Sequence, residues 1–184
     1  MKIIKNIRDN EEIDYLKKNI FSDDWELVKK SARRLGKLGG KDITDFLISL
    51  LEQSNSGIRN RAALALEEIR DDKALKPLLK SIKKKKNFNY NGTMVFALES
   101  LDCSKHLIEI FEILFYQTYE SKMSAMSILD TQIFEFTKDD LINIEKMWKD
   151  CLLNPDKCPE IKNEEVKLEI QNSVDSFMKY LEEE

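Results

Sequence analysis

Histidine is nearly absent from this 184-residue chain; His106 is the only one. Any Cys–His or Ser–His pair would have to use it. In the helical register set out below, His106 falls on an apolar position at a helix start, which favours packing over catalysis. Glycine and proline are also scarce, five and three. There is little material for tight β-turns, and a strand-rich fold is disfavoured. The three cysteines, Cys103, Cys151 and Cys158, make no disulfide framework, so reduced thiols are expected. Cys151 and Cys158 are spaced C-x6-C across a proline loop, with no second pair and no nearby histidine, which is poor zinc chemistry. Gly36, Gly39 and Gly40 before Lys41 fit neither the Walker spacing nor a strand-to-helix turn. No catalytic residue, metal ligand or cofactor follows from these residues. No apolar run approaches a membrane span, and MKIIKNIRDN lacks an uninterrupted apolar core of signal-peptide length. The expectation is a cytoplasmic protein.

Apolar residues make up 42% and charged residues 35%, which suits amphipathic helices and not a disordered chain. The net charge of −4 argues against a general nucleic-acid binder, which carries a basic excess. Residues 58–82, IRNRAALALEEIRDDKALKPLLKSI, organise the chain. Ile58, Ala62, Ala63, Ala65, Leu66 and Ile69 follow the spacing of one buried helical face. The alanines let a neighbouring helix approach closely, and Ser56 is placed to cap this helix. Asp71-Asp72 breaks the pattern. A second helix is expected from about Lys73, with Leu75, Leu78, Leu79 and Ile82 inward and Pro77 in its first turn.

Near copies flank this unit. An offset of 31 places Ala32, Leu35 and Leu38 on Ala63, Leu66 and Ile69, and Leu47, Ile48 and Leu51 on Leu78, Leu79 and Ile82. An offset of 32 downstream places Ala97, Leu98, Leu101, Ile110, Phe111 and Leu114 on Ala65, Leu66, Ile69, Leu78, Leu79 and Ile82. A looser fourth copy has Ala125, Ile128 and Leu129, then Leu141, Ile142, Ile144, Met147 and Trp148. A two-helix unit cannot bury both apolar faces alone, so repeats of this length are read as a stacked solenoid. Ile58-Arg59, Ala62-Ala63, Ala65-Leu66, Ile69, Leu35-Gly36 and Leu38-Gly39 resemble the HEAT repeat, in particular the short HEAT-like repeats of the bilin-lyase type. The first copy departs from it in having Val28 at the place of Arg59, and the second in having Glu67 at the place of Gly36. The resemblance implies a fold and a habit of binding macromolecules, and no reaction.

The expected architecture is all-α, an α-α superhelix of about four helix pairs in one domain. Residues 1–22 form an N-terminal cap, 23–53, 54–86, 87–117 and 118–151 the repeats, and 152–184 a C-terminal capping helix. Residues 2–8 are either an extended arm or the start of a helix, with Asn10 capping a helix from Glu11 to Ile20. Asp23 with Glu26 is a candidate capping box, Thr137 with Asp140 another. Gly39-Gly40 turns the chain, and Lys83 to Gly92 contains the longest loop. A connector spans Thr118 to Ser121. The last helix is expected from Glu160 to Leu181, and residues 182–184 are expected to fray.

In a HEAT-like stack the second helices line the concave surface. Lys73, Lys76, Lys80, Lys83 and Lys84 would then form a basic stripe, flanked by acidic bands from Asp42, Asp45 and Glu52 and from Glu109 and Glu112. A nucleic-acid groove wants one sign along its length, whereas banding suits a protein partner. The leading expectation is a monomeric, non-enzymatic protein-binding module without nucleic-acid or membrane partners. Its concrete version is a bacterial immunity protein that neutralises a toxin. The alternatives are a HEAT-like DNA-binding protein or alkylated-base DNA glycosylase, which needs clustered Trp, Asp and Arg, and a bilin lyase-like regulator.

Overall fold

The computed structural model describes residues 2–182, and the side chains of residues 10–181. The chain is an all-α helical repeat solenoid, with no strand among the described residues. Along the chain α1 (Lys2–Asn19) precedes the pairs α2 (Trp25–Leu38) and α3 (Lys41–Leu50), α4 (Ser56–Ile69) and α5 (Leu75–Ile82), α6 (Gly92–Leu98) and α7 (Leu107–Tyr116), and α8 (Tyr119–Thr131) and α9 (Lys138–Leu153), and α10 (Glu164–Glu182) follows. This is the expected element order. Two compact units divide the chain, Met1–Leu101 and Asp102–Glu184. Their boundary falls between α6 and α7, inside the third repeat as read from the sequence.

In the first unit α2, α4 and α6 lie side by side, with α1 beyond α2. The second helices α3 and α5 pack on α4 and α6. Small residues set this spacing: Ala32, Ala62, Ala63, Ala65 and Ala97 are all buried. Gly36 is the closest point, because a Cβ there would stand 2.6 Å from Glu68 Cβ and 3.2 Å from the Ala65 carbonyl. Leu35, Leu66 and Leu98 take the same buried place in the three first helices, and Leu47 and Leu78 in the second helices. Leu38 is a correction. It lies at the end of α2 and is 37% exposed.

Local chemistry corrects several helix starts. α1 runs through Asn10 instead of beginning there, so residues 2–8 are helix. Asp24, not Asp23, caps α2 by accepting from the Leu27 N–H at 3.1 Å. Asn55, not Ser56, caps α4 by accepting from the Ile58 N–H at 3.3 Å. In each case the oxygen acts three residues ahead of the N–H it receives. Lys73 lies in a 3-10 turn over Asp72–Ala74, so α5 begins at Leu75 with Pro77 in its first turn. Gly39 and Gly40 turn the chain after α2 with φ of 58° and 93°, a region open to glycine. The asparagines before α6 are not mere loop filler. The Asn87 amide donates to the Ser81 carbonyl at 2.8 Å, and the Asn91 amide to the Ile82 carbonyl at 3.3 Å. Both are buried and satisfy the end of α5. Arg59 is buried too, donating to the Gln53 and Ser54 carbonyls at 2.7 and 2.6 Å after α3.

In the second unit α7 packs on α8 and α9, and α10 on α9. Only Gln117 and Thr118 join α7 to α8, a shorter connector than expected. The Thr137–Asp140 capping box opens α9 as the sequence predicts. α10 starts four residues later than expected, where the Asn163 side chain accepts from the Glu165 and Val166 N–H groups. Of residues 182–184, expected to fray, 182 is the last residue of α10, and 183 and 184 lie outside the described residues. Phe111, Phe115 and Trp148 form an aromatic core; Phe115 and Trp148 stack with centroids 5.8 Å apart. Lys122 is fully buried beside them.

Reduced thiols throughout are a further correction. Cys151 and Cys158 are bonded to one another, with Cα atoms 5.7 Å apart. A 3-10 turn over Pro155–Lys157 doubles the chain back after α9 and brings the two together. The proline loop read as a separator is what closes the pair. Cys103 is free and buried.

Candidate functional site

The structure places the expected lysines on one edge of the first unit. Lys73, Lys76, Lys80 and Lys83 are exposed, and Lys84 is half-buried. Lys84 pairs with Glu52, and Lys86 donates to the Glu52 backbone carbonyl at 3.3 Å. The Lys84 hydrogen bond, helped by the charges of Lys84, Lys80 and Lys86, holds the Glu52 carboxyl below the usual carboxylate range. The basic stripe and the first acidic band thus meet at Glu52. Asp42 and Asp45 stand exposed on α3. Glu109 and Glu112 lie on α7, in the other unit, and Glu109 stands 3.3 Å from His106 Nδ1. His106 occupies the position before α7, and its side chain is largely covered.

Charge is divided between the units in a way that the overall balance hides. Residues 1–101 carry 21 Lys and Arg against 15 Asp and Glu, a net of +6. Residues 102–184 carry 9 against 19, a net of −10. The sequence contained this signal, and the whole-chain value of −4 cancelled it. α2 contributes most densely, with Lys29, Lys30, Arg33, Arg34 and Lys37 exposed along it. Arg34 is bound to Glu12 at 2.7 Å.

Beside these residues lies a groove that periodicity did not reveal. It has room for about 280 Å³ and runs along the outer side of α2 and α4 to α6. Trp25, Leu64 and Phe96 line it, each a large apolar side chain left substantially exposed at 54%, 38% and 43%. On α2 the lining residues Trp25, Val28, Lys29, Ala32 and Arg33 follow i, i+3, i+4, i+7, i+8, a stripe about two turns and 12 Å long. Arg61 braces one end. Its guanidinium donates to the Ile20 carbonyl at 2.9 Å and lies over the Trp25 ring at 5.7 Å. Lys29 and Arg33 line the groove from α2, and Glu67 and Glu68, with Arg61, from α4.

The two tryptophans play unlike parts. Trp25 is on the surface, whereas Trp148 is core and donates to Gln171 at 2.7 Å. They belong to different units. Among the described residues, no helix is long and apolar enough to cross a membrane.

The comparison with protein families matches residues 13–99 to the model of HEAT repeats. This part of the chain, residues 13–99, is a stack of HEAT-like repeats. The matched span covers α2 to α6 and most of α1, the stack in which Leu35, Leu66 and Leu98 occupy equivalent buried places. A helical repeat scaffold of this type is often used for protein interaction. No curated protein matches the sequence. The groove and the lysine edge therefore both lie on the HEAT-matched part of this repeat protein.

Proposed function

We propose that the first unit is a non-enzymatic protein-binding module that holds an amphipathic helix of a partner in the groove between α2, α4 and α6. The observation that carries this reading is the exposed Trp25–Leu64–Phe96 surface in a groove also lined by charged residues of α2 and α4. Tryptophan and arginine are enriched among the residues that carry most of the binding energy of protein interfaces. A groove between two helices accepts the apolar i, i+3, i+4, i+7 face of a third. The occupant should be acidic where it meets Lys29 and Arg33, and basic where it meets Glu67 and Glu68. In the narrower form of this reading, the partner is a toxin enzyme and the protein is its immunity protein.

A second reading keeps the partner but moves it to the lysine edge. Lys73 and Lys76 are exposed without an acidic side-chain partner among the described residues, which favours an acidic surface there. Two charge reversals separate the readings. Affinity capture from the native host supplies the partner, which is then titrated against wild type, Lys29→Glu/Arg33→Glu and Lys76→Glu/Lys80→Glu at low and high salt. The groove reading expects the first double variant to lose affinity at low salt with an unchanged melting temperature. Loss in the second double variant alone moves the site to the lysine edge. Wild-type affinity in both refutes a charge-guided interface on this unit. Equal binding to random-sequence DNA, with no protein captured, favours the DNA-binding alternative. Protection of a host cell from a co-encoded toxin, lost in the same variant, would test the immunity role.

A further inference from the structure

The second unit contains a pocket that the HEAT-matched region does not include. It has room for about 460 Å³ and lies between the end of α8, residues 132–136 and α10. Four aromatic rings line it: Phe134, Phe136, Phe177 and Tyr180. Phe136 is half-buried and Tyr180 is 56% exposed, so these two rings stay uncovered where the unit could have packed them. Phe177 meets Phe134 at 70° with centroids 6.1 Å apart, and Phe136 at 68° and 5.9 Å. Phe136 meets Tyr180 at 63° and 5.4 Å. These are edge-to-face contacts, which lock the rings against one another while Phe136 and Tyr180 keep exposed surface toward the pocket. The polar lining has one sign. Asp130 is an exposed carboxylate at the rim, with no ion pair among the described residues. It lies at the C-terminal end of α8, where the helix dipole is negative. A neighbouring cavity shares Asp130 and Ser176 and adds Glu169.

We propose that this pocket binds a methylated ammonium group, with the cation against the rings of Phe136, Phe177 and Tyr180 and Asp130 as its counter-charge. Such an ion is weakly hydrated and apolar in shape but keeps its full charge, so it gains from ring faces and from a nearby carboxylate together. A neutral apolar ligand of the same shape would gain only from the rings. An unmethylated ammonium would lose more hydration than the rings return. The trimethylammonium group could belong to a free small molecule or to a modified lysine of a peptide, and the chemistry of the pocket is common to both.

The test is an NMR titration of the full chain with choline and, separately, with a peptide carrying trimethyllysine. The control is 3,3-dimethyl-1-butanol, in which a tert-butyl group replaces the trimethylammonium. Expected are saturable shifts of the amides of residues 129–136 and 176–180 with at least one of the two cations. The tighter of the two identifies the source of the group, and the neutral control binds several-fold more weakly. Tyr180→Ala, at an exposed position that leaves the fold intact, should weaken binding roughly 3- to 30-fold. Asp130→Asn should weaken it in the same direction and reduce its salt dependence. Equal binding of the neutral control refutes the proposal, as does the absence of saturable shifts at tens of millimolar of either cation. Unchanged affinity in both variants refutes it as well. The partner captured by the first unit has no bearing on this outcome.

Discussion

Replacing the buried Lys122 by methionine should change how stability responds to pH. The Lys122 ammonium lies inside the second unit, donating to the Leu114 and Phe115 carbonyls at 2.5 and 2.9 Å at the end of α7. Burial pushes its pKa down from 10.5 to about 8, opposed by the charge of Glu160. At neutral pH the folded state thus carries a charge that the unfolded chain carries more easily. The unfolded state binds more protons between about pH 8 and 10.5, so folding stability rises with pH through that window. Moving from 10.5 to about 8 corresponds to roughly 3 kcal/mol in full, most of it gained by pH 10. Deprotonation breaks neither hydrogen bond, because a neutral amine keeps two N–H groups for two carbonyls. Lys122→Met removes the titration and leaves both carbonyls without this donor, a loss of about 1–3 kcal/mol each. Urea denaturation of wild type and variant at pH 7, 8, 9 and 10 isolates this one group, because other titrations cancel in the difference. The wild type should gain about 2–3 kcal/mol on the variant between pH 7 and 10. A difference that stays flat across the window would show that no lysine is buried in charged form at α7.

Other expectations test packing and the covalent link. Leu66→Ala, at a site with no exposure, should cost about 2–5 kcal/mol in denaturant unfolding; a loss below about 0.5 kcal/mol would mean that α4 has the other face inward. Gly36→Leu should force α2 from α4 and destabilise by about 1–3 kcal/mol, with a lower melting temperature as the readout. Cys151→Ser with Cys158→Ser opens a loop of sequence separation 7 and should cost about 2 kcal/mol under oxidising conditions. Reductant should lower the wild type by the same amount and leave the double variant unmoved. His106→Ala should leave the biological activity largely intact, apart from any loss of stability; abolished activity in a variant that remains folded would reopen acid–base chemistry at this position.

The repeat was legible because a helical face is written locally. Ala63 and Leu66 on α4 and Leu78 and Ile82 on α5 lie on inward faces at helical spacing, and their copies at offsets of 31 and 32 are apolar residues that are buried in turn. Caps were legible to within a residue. Asn55 and Ser56 are both good caps, as are Asp23 and Asp24, and the choice depends on which oxygen reaches the N–H three residues on. The charge division between the units was equally present in the sequence, once counted by unit.

Sites were a different matter. Trp25, Leu64 and Phe96 stand on three helices and share a groove because α2, α4 and α6 lie side by side at a distance set by Gly36 and the alanines. Each reads in its own helix as a stray apolar residue on a polar face. Phe134, Phe136, Phe177 and Tyr180 share no single helical face, and the fold of residues 132–136 against α10 is what brings them to one pocket. Cys151 and Cys158 read as separated by a breaker, and the breaker is the turn that joins them. Lys122 reads as a surface lysine of α8, until the end of α7 places two carbonyls around its ammonium. The sequence by itself determined which face of each helix turns inward, because burial follows the period of the helix. Tertiary structure decided which outward residues become neighbours, because that depends on the spacing and crossing of helices distant in the chain.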